Sequence, residues 1–364
     1  MRYFILLSAV AALVQAQSLD LDLIDTLSTP ANITVPSNLT EQVVAYDVDA
    51  ATDAAADAAL DSAATVSLNS TEITQNVTST AVLNKRATTT CVVQPTGYGP
   101  VPSPDSAAAF LAYAPFASSA SAAAVPAGYV QTFKNLNASN NAYGYLGYTA
   151  LKSYDSNLCA SKCNAINACA AFNIYYERDP TVNPGPNCNN PASTTLIKCV
   201  FWGGPVNAGN AQNSGQYRSN FHVVIAGSNG YVNKTIQSAD GYSAPNYYGT
   251  ASIDAPSACS GNSSLISTKV FLSSPFDANL CSAVCDAQTA SGSIACQFFN
   301  TFLLLRNGVA LGQYCRIYST ALPASYATYT GTNSGAYTYT IDHSYGFSRN
   351  DYLGSAITGL TVQL

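Results

Sequence analysis

The residues able to do acid–base or nucleophilic chemistry are few. After residue 86 the chain has a single Glu, Glu177, and two His, His222 and His343. Glu177 and Asp179 fall together in Tyr176-Glu177-Arg178-Asp179-Pro180. Glycoside hydrolysis uses two carboxylates that flank the scissile bond. Here Arg178 between them and Pro180 behind them point to a strand end and a turn. Serine is abundant, but no G-x-S-x-G occurs, and neither His lies in a catalytic motif. His222 sits in the apolar run Phe221-His222-Val223-Val224-Ile225 and reads as a structural histidine. No phosphate-binding glycine loop or metal-ligand cluster is present in the sequence. The expectation is a protein that is not an enzyme and needs no cofactor and no metal, with a hydrolase a distant third reading.

The cysteines are the stronger signal. All eleven follow residue 86: Cys91, Cys159, Cys163, Cys169, Cys188, Cys199, Cys259, Cys281, Cys285, Cys296 and Cys315. Behind a secretory leader they read as a disulfide framework. A zinc site would call for closer Cys pairs.

Four sequence blocks recur in order. Tyr154-Asp155-Ser156-Asn157-Leu158-Cys159 with Cys163 matches Phe276-Asp277-Ala278-Asn279-Leu280-Cys281 with Cys285. Cys169-Ala170-Ala171-Phe172-Asn173 matches Cys296-Gln297-Phe298-Phe299-Asn300. Cys199 to Trp202 matches Cys315 to Tyr318, and Asn213-Ser214-Gly215 matches Asn333-Ser334-Gly335. Asp155 and Asp277 stand where a helix N-cap belongs. C-x-x-x-C puts both sulfurs on one helix face, and the aromatic blocks have strand composition. This predicts an α+β fold with two disulfide-stapled modules, 127–232 and 233–348, each one helix packed on a small antiparallel sheet. Helix and strand cysteines allow a nested pairing, Cys159–Cys199 with Cys163–Cys169, and Cys281–Cys315 with Cys285–Cys296. Cys91, Cys188 and Cys259 are left unassigned, one of them free or joined to another chain. Asn173 and Asn300 read as buried amides that satisfy backbone groups.

A C-x-x-x-C helix, a Cys-x-x-Phe strand and a later Cys strand resemble the PAN/Apple module. With the apolar leader Phe4 to Val14, the acidic stretch behind it and the dibasic Lys85-Arg86, the chain is similar to secreted fungal proteins that carry such modules. The resemblance covers about 155–230 and 275–347. It implies a binding unit for proteins or carbohydrates and leaves the ligand open.

The N-terminus carries targeting signals. Arg2, the apolar run Phe4 to Val14 and Val14-Gln15-Ala16 form a secretory signal peptide, 1–16, cut after Ala16. Residues 17–86 hold ten Asp/Glu and no Lys or Arg before Lys85-Arg86, so they read as an acidic pro-segment. Its Ala/Asp-rich stretch, 51–66, has too little apolar surface to promise a packed structure. Lys85-Arg86 resembles a kexin-type processing site and would leave Ala87 as the mature N-terminus. Sequons lie at Asn32, Asn38, Asn69, Asn76, Asn137, Asn233 and Asn262. An Ala/Ser-rich leader, 87–126, promises short helices broken at Pro115, and 349–364 form a tail. From Ala87 on, eleven Lys/Arg face ten Asp/Glu, which argues against nucleic acid as partner. The sequence offers no membrane anchor, so the expected location is extracellular or in the cell wall.

The first copy has one insertion. Cys169 to Cys199 span 30 positions against 19 for Cys296 to Cys315. The surplus predicts a proline-stiffened loop from about Arg178 to Lys198. Tyr176, Glu177 and Arg178 at its entry and Trp202 past its return are the candidate ligand-binding residues. The functional expectation is a secreted, non-catalytic protein that binds an extracellular glycan or protein through PAN/Apple-like modules. The alternative is a structural cell-wall or matrix protein.

Overall fold

The aromatic blocks form strands, but in sheets much larger than the sequence suggests. The computed structural model describes residues 19–30, 41–60, 63–68, 73–76, 91–235, 238–255, 263–291 and 294–351. The N-terminal segment supplies α1 (Leu21–Ile24), β1 (Glu41–Tyr46), α2 (Val48–Asp57), β2 (Ala63–Ser67) and β3 (Ile73–Asn76). The Ala-rich stretch forms α3 (Ala107–Leu111) and α4 (Ala114–Ala122). The first half follows with β4 (Tyr129–Leu136), β5 (Tyr145–Leu151), α5 (Ser156–Asn164), β6 (Ala171–Pro180), β7 (Ser193–Trp202), β8 (Gly215–Arg218) and β9 (Phe221–Asn233). The second half has β10 (Asn246–Gly249), β11 (Ser252–Ile253), β12 (Leu265–Leu272), α6 (Ala278–Ala290), β13 (Phe298–Arg306) and β14 (Val309–Tyr318). It ends with β15 (Ala327–Tyr329), β16 (Gly331–Ser334) and β17 (Tyr337–Ser348).

One sheet runs β3-β1-β5-β7-β6-β9-β4, with β8 paired to β9. The other runs β10-β17-β13-β14-β12-β2, with β16 paired to β17. Read from β1 and from β2, the two sheets place corresponding strands in the same order. Pairing is antiparallel throughout except for β2, which lies parallel to β12.

This corrects the α+β expectation of one helix on a small sheet: the protein is mostly β, with two large sheets, one curled into a half-barrel. The sequence misled because every residue of β6 and of β7 is buried. Strands covered on both faces lose the alternation that marks a half-exposed strand. Glu177, Arg178, Asp179 and Lys198 then interrupt the apolar run and mimic strand ends. Arg178 to Pro180 and Ser193 to Lys198 are therefore strand, and the excursion shrinks to residues 181–192.

The helices start where capping residues allow. Asp155 Oδ1 accepts from Leu158 N, and Asp277 Oδ1 accepts from Asn279 N. Cys159, Cys163, Cys281 and Cys285 face one core shared by both sheets and both helices. Cys159 is bonded to Cys199, Cys163 to Cys169, Cys281 to Cys315 and Cys285 to Cys296. Cys91 is bonded to Cys188, so two of the three unassigned cysteines pair with each other. Cys259 lies outside the described residues.

Each half also carries a buried amide at one place. Asn173 Nδ2 donates to Ser228 Oγ and Asn229 O, and Asn300 Nδ2 donates to Ser344 Oγ and Tyr345 O. Their Oδ1 atoms accept from Asn140 N and Ile253 N. Both sit beside a register shift, between Ile174 and Tyr176 and between Thr301 and Leu303. The bulged partner strands turn through positive φ, at Gly227 (60°) and His343 (54°).

The Ala-rich stretch is ordered: Ser106 caps α3, Pro115 opens α4, and Phe116 stacks on Tyr176 at 4.2 Å. Residues 17–86, read as poorly packed, also fold where they are described. Ala51, Ala55 and Ala59 are buried, and α2 packs on α6. A stripe of Ala every fourth residue lacks bulk but allows close helix approach, a signal that hydrophobicity alone misses. The signal peptide, Lys85, Arg86, Asn32, Asn38, Asn69 and Asn262 lie outside the described residues.

The Cys91–Cys188 bridge closes a separation of 97 residues. Loop-closure reasoning gives it up to ~4 kcal/mol. Non-reducing peptide mapping should link Cys91 to Cys188, and Cys188→Ser should lower the denaturant midpoint. An unchanged midpoint would show that the bridge does not constrain the chain.

Candidate functional site

A cleft of about 700 Å³ opens where the two halves meet. Its first wall is the start of β5 with the loop 205–212. Its second is Leu272 to Pro275 with the facing ends of β13 and β14. Ser28, Pro30, Val44 and Tyr46 of the N-terminal segment close one side.

Backbone contacts weld the floor. Gly203 N donates to Gly144 O at 2.6 Å, and Phe276 N donates to Gly203 O at 3.0 Å. Gly144 has φ +67°, and a Cβ on Gly144 or Gly203 would collide with Pro275. Glycine at both positions is what lets the halves approach. Tyr143 crosses the seam and donates from its hydroxyl to Phe271 O at 3.2 Å. Burial pushes its phenol up to about 12.

The lining is polar without being charged. Asn141, Asn207, Asn210 and Gln212 bring amides, and Tyr143 and Tyr145 bring rings. Asn207 Oδ1 accepts from Gly209 N and Asn210 N, and Asn210 Nδ2 donates to Pro205 O. That turn is therefore pre-formed. Among the described residues lining the cleft there is no Lys, Arg or His, and Asp342 is the only carboxylate. Burial raises the Asp342 carboxyl above its ordinary value.

The four residues singled out in the sequence do not gather around a ligand space. Tyr176 is buried between Phe116 and Tyr154. Glu177 receives the Lys198 ammonium at 2.5 Å, both side chains out of solvent. Arg178 pairs with Asp105 at 2.8 Å, donates to His222 O and lies over the Phe221 ring. Trp202 is fully buried and packs edge-on to Tyr145 at 5.4 Å, which makes it backing for the cleft. The loop 181–192 is not a free excursion. Cys91 N donates to Asn183 O, Asn183 N to Val92 O and Gln94 N to Thr181 O, beside the Cys91–Cys188 bond.

Glu177 and Asp179 lie two apart on β6, side by side on one face of one strand. They do not oppose each other across the cleft. Burial first, and then the charge of Glu177, push the Asp179 carboxyl well above the usual range, against the pull of Lys198 and Arg218. Of the sequons, Asn137 is exposed, Asn233 is half-buried and Asn76 lies in β3. His222 is half-buried and stacks on Tyr217 at 4.1 Å.

The cleft was missed because no local motif marks it. Its residues come from loops and strand ends distant in sequence. The pairs Gly203-Gly204 and Ser274-Pro275 were the available hints of a close approach. Among the described residues no three His, Cys, Asp or Glu gather as a metal site, and no helix is long and apolar enough to cross a membrane. Set against protein-family models, curated proteins and solved structures, the chain matches nothing in any of the three.

His343 supplies a pH test. It is buried between Phe276 and Tyr345, and burial lowers it to about 4 from the ordinary 6.5. The unfolded chain binds the proton first, so stability present above pH 6.5 is lost as pH falls toward 4, by up to about 3 kcal/mol. His343→Asn, which tolerates the positive φ, should flatten the melting temperature between pH 7 and pH 4.5. Asp179 has the opposite sign, because its raised carboxyl weakens the fold above the unfolded value. Asp179→Asn should raise the melting temperature at pH 8 and leave it unchanged at pH 3.

Proposed function

We propose that the protein is an exported, non-catalytic binding protein that takes a neutral glycan in the cleft between its two halves. The observation that carries this reading is the lining: fixed amides and tyrosine rings, with no cation and one carboxylate among its described residues. Neutral sugars are held by amide hydrogen bonds and by apolar faces against aromatic rings. A phosphate or polyanion would need the Arg and Lys that are missing from this lining. The five disulfides are typical of extracellular proteins. A cell-wall or surface glycan is therefore the class of partner to test first. The like strand order of the two sheets supports a scaffold whose seam serves as the binding place.

Calorimetry of the full chain against neutral hexose oligomers and against a polyuronate decides the point. Saturable binding of a neutral oligomer, and none of the polyuronate, is expected. Ala310 lines the cleft and is half-buried. Ala310→Trp should fill the space and weaken binding at least tenfold with unchanged circular dichroism. Binding that survives this change, or none to any neutral glycan, sinks the reading.

A further inference from the structure

The two sheets end at equivalent edges, β5 and β12, and in both cases the acidic N-terminal segment supplies the missing neighbour. β1 pairs antiparallel to β5, with Glu41 opposite Thr149 and Gln42 opposite Tyr148. β2 pairs parallel to β12 over five residues, from Ala63 opposite Thr268 to Ser67 opposite Leu272. An uncovered edge strand is a template for pairing with any other chain. Both edges are closed by one piece of polypeptide.

The same segment covers an apolar face. Leu19, Ile24 and Leu27 are buried against Val270, Phe302 and Leu304 of the second sheet. Polar contacts fix that cover: Tyr339 Oη donates to Asp25 Oδ1 at 2.5 Å, and Arg306 donates to Leu27 O and Thr29 Oγ1. On the first sheet Tyr145 Oη donates to buried Gln42 Oε1 at 2.7 Å. The Ala stripe of α2 lies on α6. A leader that is cut and lost would leave two open edges and a stripped hydrophobic face.

We propose that the N-terminal segment is a strand-donating subunit, and that cleavage at Lys85-Arg86 yields a two-chain protein whose short chain stays bound. The segment has no cysteine, so it is held without a covalent cross-link, by strand pairing, apolar burial and these hydrogen bonds. Its partner is the chain from Ala87 onward, and the contact persists whether or not the cleft takes a glycan.

The test nicks purified full-length protein with a kexin-type protease, or with a site-specific protease at a recognition sequence replacing Lys85-Arg86. Size exclusion in native buffer should give one peak. N-terminal sequencing of that peak should return two N-termini, one of them Ala87 in the kexin-cut protein, and they should separate only in denaturant. Hydrogen exchange should show the amides of β1 and β2 protected in the nicked protein as in the uncut chain. The double variant Val44→Asp/Val66→Asp places charge at two buried strand positions and should release the segment on nicking, while the tethered uncut chain stays folded. Separation of the two chains in native buffer overturns the proposal. So does exchange of β1 and β2 at unstructured rates, or retention of the segment undiminished by the double variant.

Discussion

Backbone groups buried away from water must be paired, and here that constraint is unusually severe because the central strands are covered on both faces. Every residue of β6 and β7 is buried, and β13 and β14 are nearly so. Strand ladders satisfy most of these groups. Where β9 and β17 bulge, the ladder breaks, and an Asn side chain fills the gap in each half. Where the sheets end, the N-terminal segment supplies a strand. Buried amide and added edge strand answer one requirement at two places.

Glu177 and Arg178 of β6 follow the same logic. A buried ion is tolerated only when a partner offsets its lost hydration. Lys198 lies opposite Tyr175 in the ladder, bonds to Glu177 and sits 4.8 Å over the Tyr148 ring. Arg178 reaches Asp105, which also accepts from Ser193 N and Oγ. Hydrogen bonds from Ser193 and Arg178 outweigh burial and hold the Asp105 carboxyl below its ordinary value. The Ala-rich leader is thus tied by its acid to β6 and β7, and by Phe110 and Phe116 to the core. Glu177 and Arg178, which look like an exposed turn in the sequence, lie with Lys198 in the buried interior of a sheet.

Much of the local structure was legible from residue types. Asp before Ser-Asn-Leu or Ala-Asn-Leu marks a capped helix, C-x-x-x-C marks its buried face, and Phe-Asn marks a strand with a buried amide. These signals act within a few residues. Strand length, sheet size and edge occupancy depend on contacts between distant segments. The pairing of β2 with β12 joins residues about 200 positions apart, and nothing in Ala-Ala-Thr-Val-Ser announces it. The cleft failed to show for the same reason, since both of its walls form only after the halves dock. Polarity also misled: Glu177 to Asp179 reads as a turn unless Lys198 and Asp105 are already known to face it.

The core strands of the two halves follow the same order, but the cleft belongs to neither half. The loop 181–192 of the first half is spent on holding Cys91 and its neighbours in place. Two sheets of like strand order have another way to make a site: the seam between them is unique even where the sheets are alike. Gly144 and Gly203 on one side and Pro275 on the other create that seam through contacts made once in the molecule. The N-terminal segment then adds Val44 and Tyr46 to its rim while closing the sheet edge beside it. Edge closure and cleft shape are therefore coupled through β1, and whatever displaces that strand alters both.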